Sequence, residues 1–364
     1  MHENVDLIFE GQAQGDVAQM LLSNKMNPSN MRPFIGANGR SFITVHMGGD
    51  PKDIKNYRNV EIQTNATLRR DEWKRLDEAI MGVKENRLGG IQDLIAHNLT
   101  YDLGNGMGTT VLEWHDSSDA GSAEMTMDGI SRGKGDRVIY QHNYLPLPIV
   151  HVDYEINARV LAASRSLGNP LDTTMVERAA RKVNEQLEKM LFTDTSYSFG
   201  AKDSRSRNTI YSYLNFPDIN LVTLTLAWDS ASKTGANIIT DVLNMKQSSI
   251  DNLHYGPWQI YIPTAYETKL DNDYDSTTPG TTIRERIMKI DGIKGIKVVD
   301  TMPTDNVLMV QMTSDVVRLV RGMPMQNVEW MTEGRMLTKY KVMTIQVPQI
   351  RSDQNGKCGI VLLS

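Results

Sequence analysis

The sequence predicts a mixed α+β fold built around one long helix. Three observations support this class. A well-formed amphipathic helix lies near the middle of the chain, strand-like pieces before it flank a glycine-rich stretch, and strands alternate with helices after it. Paired strands with a glycine-rich connection indicate a hairpin, and alternating strands and helices indicate a sheet covered by helices. The chain therefore combines a hairpin, a long helix and an α/β part.

Size and composition allow a large core and argue against one broad class of protein. The chain has 364 residues, of which 40% are hydrophobic, which is enough for one large or two ordinary domains. A formal net charge of -5 argues against a protein whose main task is to coat nucleic acid, because phosphate neutralisation needs clustered Lys and Arg. The 21 methionines suit surfaces that meet neighbours in different geometries, and equally suit a methionine-rich core.

Cysteine usage and hydropathy indicate the cellular compartment in which the protein is expected. Cys358 is the single cysteine, which excludes an intramolecular disulfide and a thiolate zinc cluster and fits assembly in a reducing cytoplasm. The stretch MHENVDLIFEGQAQ lacks the basic and apolar regions of a signal peptide, and no run of about eighteen apolar residues occurs. We therefore expect neither standard secretion nor a membrane-embedded protein.

The first part of the chain, residues 1–65, is predicted to be an arm. It lacks sustained periodicity and is punctuated by Gly, Asn and Pro, as in KMNPSNMRPFIGANGR. Because so much weak structure is uncommon inside a compact domain, we expect the arm to lie across something else. A helical region over residues 66–100 follows, and its first helix places one apolar side together: Trp73, Leu76, Ile80 and Val83.

Residues 101–148 are predicted to form a long hairpin. Strand-like pieces around residues 109–114 and 137–144 flank a small, polar, Gly-rich middle. A hairpin of this length has little core of its own and is marginal unless it packs on another molecule. The segment after it alternates apolar and polar residues, as a half-buried strand does, with apolar positions at Val150, Val152, Tyr154 and Ile156.

The central helix is predicted over residues 172–192. Pro170 stops any earlier helix, and Thr174 with Glu177 has the spacing of a capping box. One apolar stripe runs along the helix, and the opposite face carries oppositely charged residues four apart. The stripe consists of Val176, Ala180, Val183, Leu187 and Leu191. Nothing on this helix resembles a site, so we interpret it as a structural element laid on one core.

The sequence after the central helix predicts a small α/β domain near residues 236–322, followed by a tail of strands. The domain contains the helices ANIITDVLNMKQSSIDNL and TIRERIMKI and the strands PWQIYIP, IKVVD and NVLMVQM. The tail contains the strands VEWMTEG, MLTKYKVMTIQVPQI and KCGIVLL, joined by turns. We expect this tail to pack on the central helix.

Motifs for metal or phosphate binding are weak. Asp271, Asp273 and Asp275 have the spacing that opens a calcium loop. Its sixth and twelfth positions are Ser276 and Thr282 instead of Gly and Glu, so a solvated loop is favoured. The stretches GNGMG and RGKGD lack the Walker spacing and a strand-to-helix context, which favours flexible turns.

Motifs for catalysis are weak too. Ser41, His46 and Asp50 lie close in sequence, but no nucleophile elbow accompanies them. His142 and His151 could face a shared neighbour, although a lone histidine on a strand is more often structural. We therefore predict that the protein is not an enzyme, with no catalytic residue, no cofactor and no metal site.

The order of parts resembles the major capsid protein of tailed phages, the Hong Kong ninety-seven fold, which encapsulin nanocompartments share. Three stretches carry the likeness. TLRRDEWKRLDEAIMGVKENRLGG is similar to the opening helix of encapsulins, and LPLPIVHVDYEINARVLAASRSLGNPLDTTMVERAARKVNEQLEKMLF is similar to their strand, turn and spine helix. VRLVRGMPMQNVEWMTEGRMLTKYKVMTIQVPQIR, followed by CGIVLL, resembles the closing strands of the group.

The resemblance implies a division into named parts. The N-terminal arm is 1–65, the N-terminal helical region 66–100 and the extended loop 101–148. The peripheral domain, with its spine helix at 172–192, comprises 149–235 and 323–364, and the axial domain is 236–322. In the family the extended loop lies over an adjacent subunit, the spine helix belongs to the peripheral domain, and the axial domain surrounds the capsomer centre.

The resemblance also implies a function. We expect a major capsid protein that self-assembles as pentamers and hexamers into an icosahedral phage head enclosing double-stranded DNA, located in the virion. The alternative is an encapsulin-type shell that packages a cargo enzyme. The arm before Ala66 is longer than encapsulins usually show, which favours the viral shell. Expected partners are further copies of the chain, separate scaffolding and portal proteins, possible decoration proteins, and DNA bound without sequence specificity.

The expected contact residues lie in the extended loop. Its tip is predicted to rest on a neighbouring subunit through Trp114, Met125, Met127 and Ile130 as apolar contacts and Arg132, Lys134 and Arg137 as partners for acidic groups. Some family members join subunits by Lys–Asn bonds. Lys134 lies in the matching loop, but neither the partner Asn nor the catalytic carboxylate can be matched, so cross-linking stays open.

Overall fold

The computed structural model describes residues 32–46, 50, 53–62, 68–87, 89–104, 106–117, 127, 140–166, 173–199, 209–274, 280–333, 337–353 and 355–364. Within these residues the strands form sheets of five, four and three strands and two two-stranded ribbons, with helices packed among them. This architecture confirms the predicted α+β class.

Part of the predicted arm forms a small antiparallel sheet. Its strands are β1 (Phe34–Ile35), β2 (Ser41–His46) and β3 (Tyr57–Ile62), and a short 3-10 helix at Ile54–Asn56 precedes β3. Ile43 and Val45 are buried, and Val60 packs against them. The expected weak structure throughout residues 1–65 is therefore wrong for this part. Strands this short carry too little alternation to stand out before they pair.

Two helices and a short strand follow: α1 (Arg70–Arg87), α2 (Gly89–Ala96) and β4 (Thr100–Asp102). Trp73, Leu76 and Ile80 are buried as the periodicity predicts. At the start of α2, a Cβ on Gly90 would lie 2.4 Å from the Phe192 ring. A glycine is therefore needed where α2 meets the end of the central helix.

The predicted hairpin is present, as β5 (Val111–Ser117) paired antiparallel with β6 (Tyr140–Pro146). Between these strands the structure describes only Met127. Next comes β7 (Val150–Asn157), whose polar residues are exposed while Val150, Val152 and Ile156 are half-buried and Tyr154 is buried. This alternation confirms the predicted half-buried strand.

The central helix is α4 (Thr174–Phe192), preceded by α3 (Ala158–Ser166). All five residues of its predicted stripe are fully buried. Its cap differs from the predicted capping box. The N-cap is Thr173, whose hydroxyl donates to the Glu177 carboxylate at 2.8 Å instead of capping a backbone amide. The buried stripe determines where the helix packs. The first turn is exposed, so either Thr173 or Thr174 can serve as its N-cap.

The α/β part follows a short ribbon of β8 (Tyr197–Ser198) and β9 (Thr209–Ile210). It comprises β10 (Asn220–Val222), α5 (Gly235–Asp251), β11 (Trp258–Pro263), a 3-10 turn at Thr264–Tyr266, α6 (Glu267–Leu270), α7 (Ile283–Met288), β12 (Ile293–Val299) and β13 (Val307–Gln311). The helices and strands predicted between residues 236 and 322 are thus confirmed in type and order.

The tail forms β14 (Val317–Glu333), β15 (Leu337–Ile350) and β16 (Ile360–Leu363). β14 and β15 pair within a four-stranded sheet of order β4-β14-β15-β7, and α4 packs against β7 and β15. A Cβ on Gly106, before the hairpin, would lie 2.1 Å from the carbonyl oxygen of Gly322 on β14. The chain entering the hairpin therefore lies directly on the backbone of this sheet.

The last strand of the tail does not join β14 and β15 in their sheet. β16 lies inside the five-stranded sheet of order β10-β16-β13-β11-β12. All four of its residues are buried, as in a strand covered on both faces. The position of a continuous apolar strand is set by pairing and cannot be read from its own pattern. The domain limits themselves stay a prediction.

The five-stranded sheet separates two hydrophobic clusters. Ile360 and Leu362 of β16 belong to the cluster that contains the α4 stripe, while Val361 and Leu363 belong to the cluster under α5 and α7. The α/β part therefore shares one of its two core faces with the central helix. Within the part of the chain that the structure describes, no helix is long and apolar enough to cross a membrane.

Candidate assembly surfaces

One face of the hairpin β5–β6 packs on its own chain. Leu112, Trp114 and Leu145 lie on this face and join a cluster with residues of β14 and β15. At its far end Asp116 accepts a hydrogen bond from the Asn143 side chain and lies 3.9 Å from Arg351. These contacts anchor the base of the hairpin to its own sheet.

A small cavity marks this anchor. It has a volume of about 30 Å³, and Trp114, Asp116, Tyr211 and Arg351 are among the residues that line it. This volume suits a water molecule and little else. The anchor is therefore a structural contact and offers no room for an organic ligand.

The opposite face of the hairpin is uncovered in the single chain. Glu113, His115 and His142 are exposed, and the Tyr140 side chain is 65% exposed. His115 and His142 are directly opposed in the register, with ring centroids 4.3 Å apart and an edge-to-face arrangement. His142 thus faces His115 across the ladder, whereas His151 lies on β7, where its Nδ1 is 3.4 Å from Asp153.

The predicted contact residues fall into three groups. Trp114 is half-buried against its own chain. Met127 is fully exposed. The others lie outside the described residues: Met125, Ile130, Arg132, Lys134 and Arg137. Their role between subunits stays a prediction, with Trp114 already engaged within its own chain.

An apolar cleft at the base of the hairpin escaped the sequence analysis. It has a volume of about 330 Å³ and lies between the segment after β6, the end of α4 and the β8–β9 ribbon. Ile149, Met190, Tyr197 and Ile210 are among its lining residues, and Ile149 is 43% exposed. The exposed Ile149 beside Pro148 was a weak signal, since scattered surface apolar residues are common.

The candidate triad is not assembled. Ser41 and His46 stand at opposite ends of β2, so their Cα atoms are separated by about 16 Å at the ordinary rise of a strand. This spacing is too long for a hydrogen bond between a nucleophile and its base.

The acidic loop is held by contacts within the protein. The Asp271 carboxylate is 2.7 Å from Arg284 Nε. The backbone of Asp273 pairs with that of Thr282 in an isolated antiparallel β-bridge. Asp275 lies outside the described residues. Among the residues that are described, no group of three His, Cys, Asp or Glu side chains could hold a metal ion.

If the chain assembles as the resemblance implies, calcium should have no effect on the resulting particles. Adding calcium, or removing it with EGTA, should leave the number and shape of particles unchanged in negative-stain electron microscopy, because the loop lacks the remaining ligands. Loss of particles on EGTA treatment, reversed by added calcium, would contradict this expectation.

A buried carboxylate joins the helical region to the five-stranded sheet. Asp93 on α2 is 4% exposed, accepts a hydrogen bond of 3.0 Å from the Tyr261 hydroxyl and forms an ion pair with Lys297. Burial raises the pKa of Tyr261 well above its ordinary value, so Tyr261 remains a neutral donor. Because a buried carboxylate without partners is costly, these contacts hold α2 in place against β11 and β12.

A second carboxylate near this junction, that of Glu188, is partly buried beside another negative charge. Burial, and then the negative charge of Asp300, raise the pKa of Glu188 on α4. A raised pKa in the folded state means that folding disfavours the ionised form. Any stabilisation from protonated Glu188 is therefore present below its ordinary pKa and is lost as the pH rises through the raised value.

The substitution Glu188→Gln should accordingly stabilise the protein at neutral pH. We expect thermal unfolding to shift upward by about 1–2 °C, a small value because Glu188 is only half-buried and the chain is long. At a pH well below the ordinary glutamate pKa the two proteins should unfold alike, since both side chains are then neutral. Glu185→Gln is the matched control on the same helix: its carboxylate bonds to Lys182, which lowers its pKa, so no gain is expected.

Comparison with known proteins gives one family and several solved structures of similar fold. Residues 62–363 match the family described as Family of unknown function (DUF6260). No curated protein matches the chain. Among solved structures, the virus-like particle from Pyrococcus furiosus has a TM-score of 0.56 and 18% sequence identity, covering 80% of this chain and 99% of that chain.

Two further structures have the same fold. The capsid of Myoviridae phage XM1 has a TM-score of 0.57 and 9% identity, covering 75% of this chain and 91% of that chain. The capsid of a native GTA particle has a TM-score of 0.53 and 11% identity, covering 76% of this chain and 90% of that chain. The predicted Hong Kong ninety-seven fold, common to phage capsid proteins and encapsulin-like particles, is thereby confirmed.

Proposed function

Because the chain belongs to DUF6260, a family of unknown function, and has a capsid-type fold, we propose that it is a major capsid protein. It would self-assemble as pentamers and hexamers into an icosahedral phage head that encloses double-stranded DNA. In this role the protein has no catalytic task, and the virion is its final location.

The observation that carries this proposal is the layout of the whole chain. A buried central helix, a two-stranded hairpin and a five-stranded sheet occur together, and 99% and 91% of two solved particle or capsid chains align with this chain. A fold alone does not establish a function. The exposed hairpin face adds an observation specific to this chain, since the Tyr140 side chain on it is 65% exposed.

The proposed mechanism is assembly through many modest contacts. Each subunit would engage several neighbours, so that closing the shell stabilises it far more than any single contact. A rigid core suits this task, because the spine helix and the shared face of the five-stranded sheet belong to one cluster. The extended loop would then lie over an adjacent subunit and link neighbours.

The remaining partners follow from the same proposal. Scaffolding and portal proteins would be separate chains, and decoration proteins are possible additions. The net charge of -5 gives the chain little attraction for phosphate, so DNA would be enclosed without sequence-specific binding.

An encapsulin-type compartment is the second candidate. The coverage of 99% of the virus-like particle chain from Pyrococcus furiosus favours it. The difference lies in the contents, because such a shell would package an enzyme instead of DNA.

Electron microscopy of the expressed chain, with and without its scaffolding protein, tests the proposal. Closed particles that are empty or contain nuclease-protected DNA are expected, whereas a co-purifying enzyme inside the particles would favour the second candidate. A small oligomer under all conditions, measured by size-exclusion chromatography with light scattering, would overturn both.

A further inference from the structure

Two histidines far apart in sequence meet on the uncovered face of the hairpin. His115 on β5 and His142 on β6 are directly opposed, and their ring centroids are 4.3 Å apart. Both are exposed, so neither ring is needed for the packing of the core. The hairpin face that does pack carries Leu112 and Trp114 instead.

The separation of the rings suits chelation. An ion with N-donor ligands at about 2.0–2.1 Å in tetrahedral geometry needs two nitrogens about 3.3 Å apart. Opposed residues of an antiparallel pair have Cβ atoms about 4.5–5.5 Å apart, which brings imidazole nitrogens within that reach. The rings now pack edge to face at 89°, but exposed side chains change rotamer within nanoseconds, so both nitrogens can turn to one point.

The surroundings favour a cation. Glu113 lies two residues before His115, so it projects from the same face, and it is exposed. Its opposite residue in the register is Tyr144, which has no cationic group. The carboxylate adds negative potential beside the histidine pair without blocking it.

We propose that His115 and His142 form a bidentate site for a late first-row transition metal ion, and that the bound ion is zinc. Imidazole nitrogen suits zinc, copper and nickel rather than calcium or magnesium. Since no group of three ligating side chains occurs among the described residues, water fills the other coordination positions in the free subunit. A bound ion would join the two strands and stiffen the hairpin before its tip.

This site differs from the sequence-based prediction of no metal site. That prediction rested on ligand spacing along the chain, and these two histidines have none of the short spacings that signal a zinc site. The strand register brings them together. The proposal holds for the free subunit and does not depend on the proposed function.

Calorimetric titration of zinc chloride into the full chain, prepared without a polyhistidine tag, tests the site. We expect a single zinc ion per chain. Either His115→Ala or His142→Ala should lower the zinc affinity about 10- to 100-fold, since loss of a group that only hydrogen-bonds to a metal ligand already has an effect of this size. His151→Ala, another histidine on an exposed strand position, is the matched control and should bind as the unaltered chain does. Equal affinities in all variants, or no binding, would overturn the proposal.

Hydrogen exchange provides the second readout. Zinc should slow amide exchange in residues 140–146 of the unaltered chain and leave it unchanged in His142→Ala, whose fold is checked by circular dichroism. Zinc-dependent protection that survives in the variant would place the ion elsewhere and refute the assignment.

Discussion

The substitution Leu187→Asp is expected to abolish soluble subunit as well as particles. Leu187 is fully buried at the middle of the α4 stripe, where the helix packs against α1, β7 and β15. A buried carboxylate without a partner costs several kcal/mol, comparable with the whole margin of about 5–15 kcal/mol by which a domain is stable. Soluble yield after expression and circular dichroism measure the effect.

Met175→Asp on the same helix is the matched control. The Met175 side chain is 46% exposed and lies in the first turn, where a negative charge is favourable near the helix N-terminus. This variant should be produced at normal yield. Well-folded Leu187→Asp protein at normal yield would show that the stripe does not stabilise the fold as we describe.

Removal of residues 117–136, closed with a short Gly-rich turn, is expected to separate folding from assembly. The base of the hairpin keeps its own anchor, since Leu112 and Trp114 pack on β14 and β15 and Asp116 contacts Asn143. Shortening a loop changes its closure entropy only weakly. The shortened protein should therefore remain folded by circular dichroism, yet fail to form closed particles where the intact chain forms them.

A second variant distinguishes the chemistry of the tip from its length. Replacement of residues 118–136 by a Gly/Ser segment of equal length keeps the span and removes five of the seven residues predicted to contact a neighbour, leaving Trp114 and Arg137 in place. We expect this variant also to fold and to assemble poorly. Normal particles from both variants would refute the role assigned to the loop, even if the chain proved to be a capsid subunit.

The contacts of the α/β part limit how it can move within the subunit. Because one face of the five-stranded sheet shares the cluster of α4, and Asp93 links α2 to Tyr261 and Lys297, the α/β part is held by both apolar and polar contacts. Packed cores resist continuous deformation. Any rotation of this part against α2 and α4 must therefore break the Asp93 contacts or move α2 with it.

The sequence by itself determined the elements whose signal is local. The α4 stripe from Val176 to Leu191 repeats over several turns, so a helix with one buried face follows from periodicity alone. The alternation in β7 and the order of helices and strands between residues 236 and 322 were predicted for the same reason. The likeness to capsid proteins was visible because it depends on the order of these elements.

Tertiary structure decided everything that depends on which strands pair. The sheet of β1, β2 and β3, the place of β16 between β10 and β13, the inward face of Trp114 and the meeting of His115 with His142 all follow from register. A one-residue shift of register exchanges the two faces of a strand, and short apolar strands carry no mark of their partner. Periodicity is a property of one segment, whereas pairing is a property of two, and for this reason the sequence predicted the elements but not these contacts.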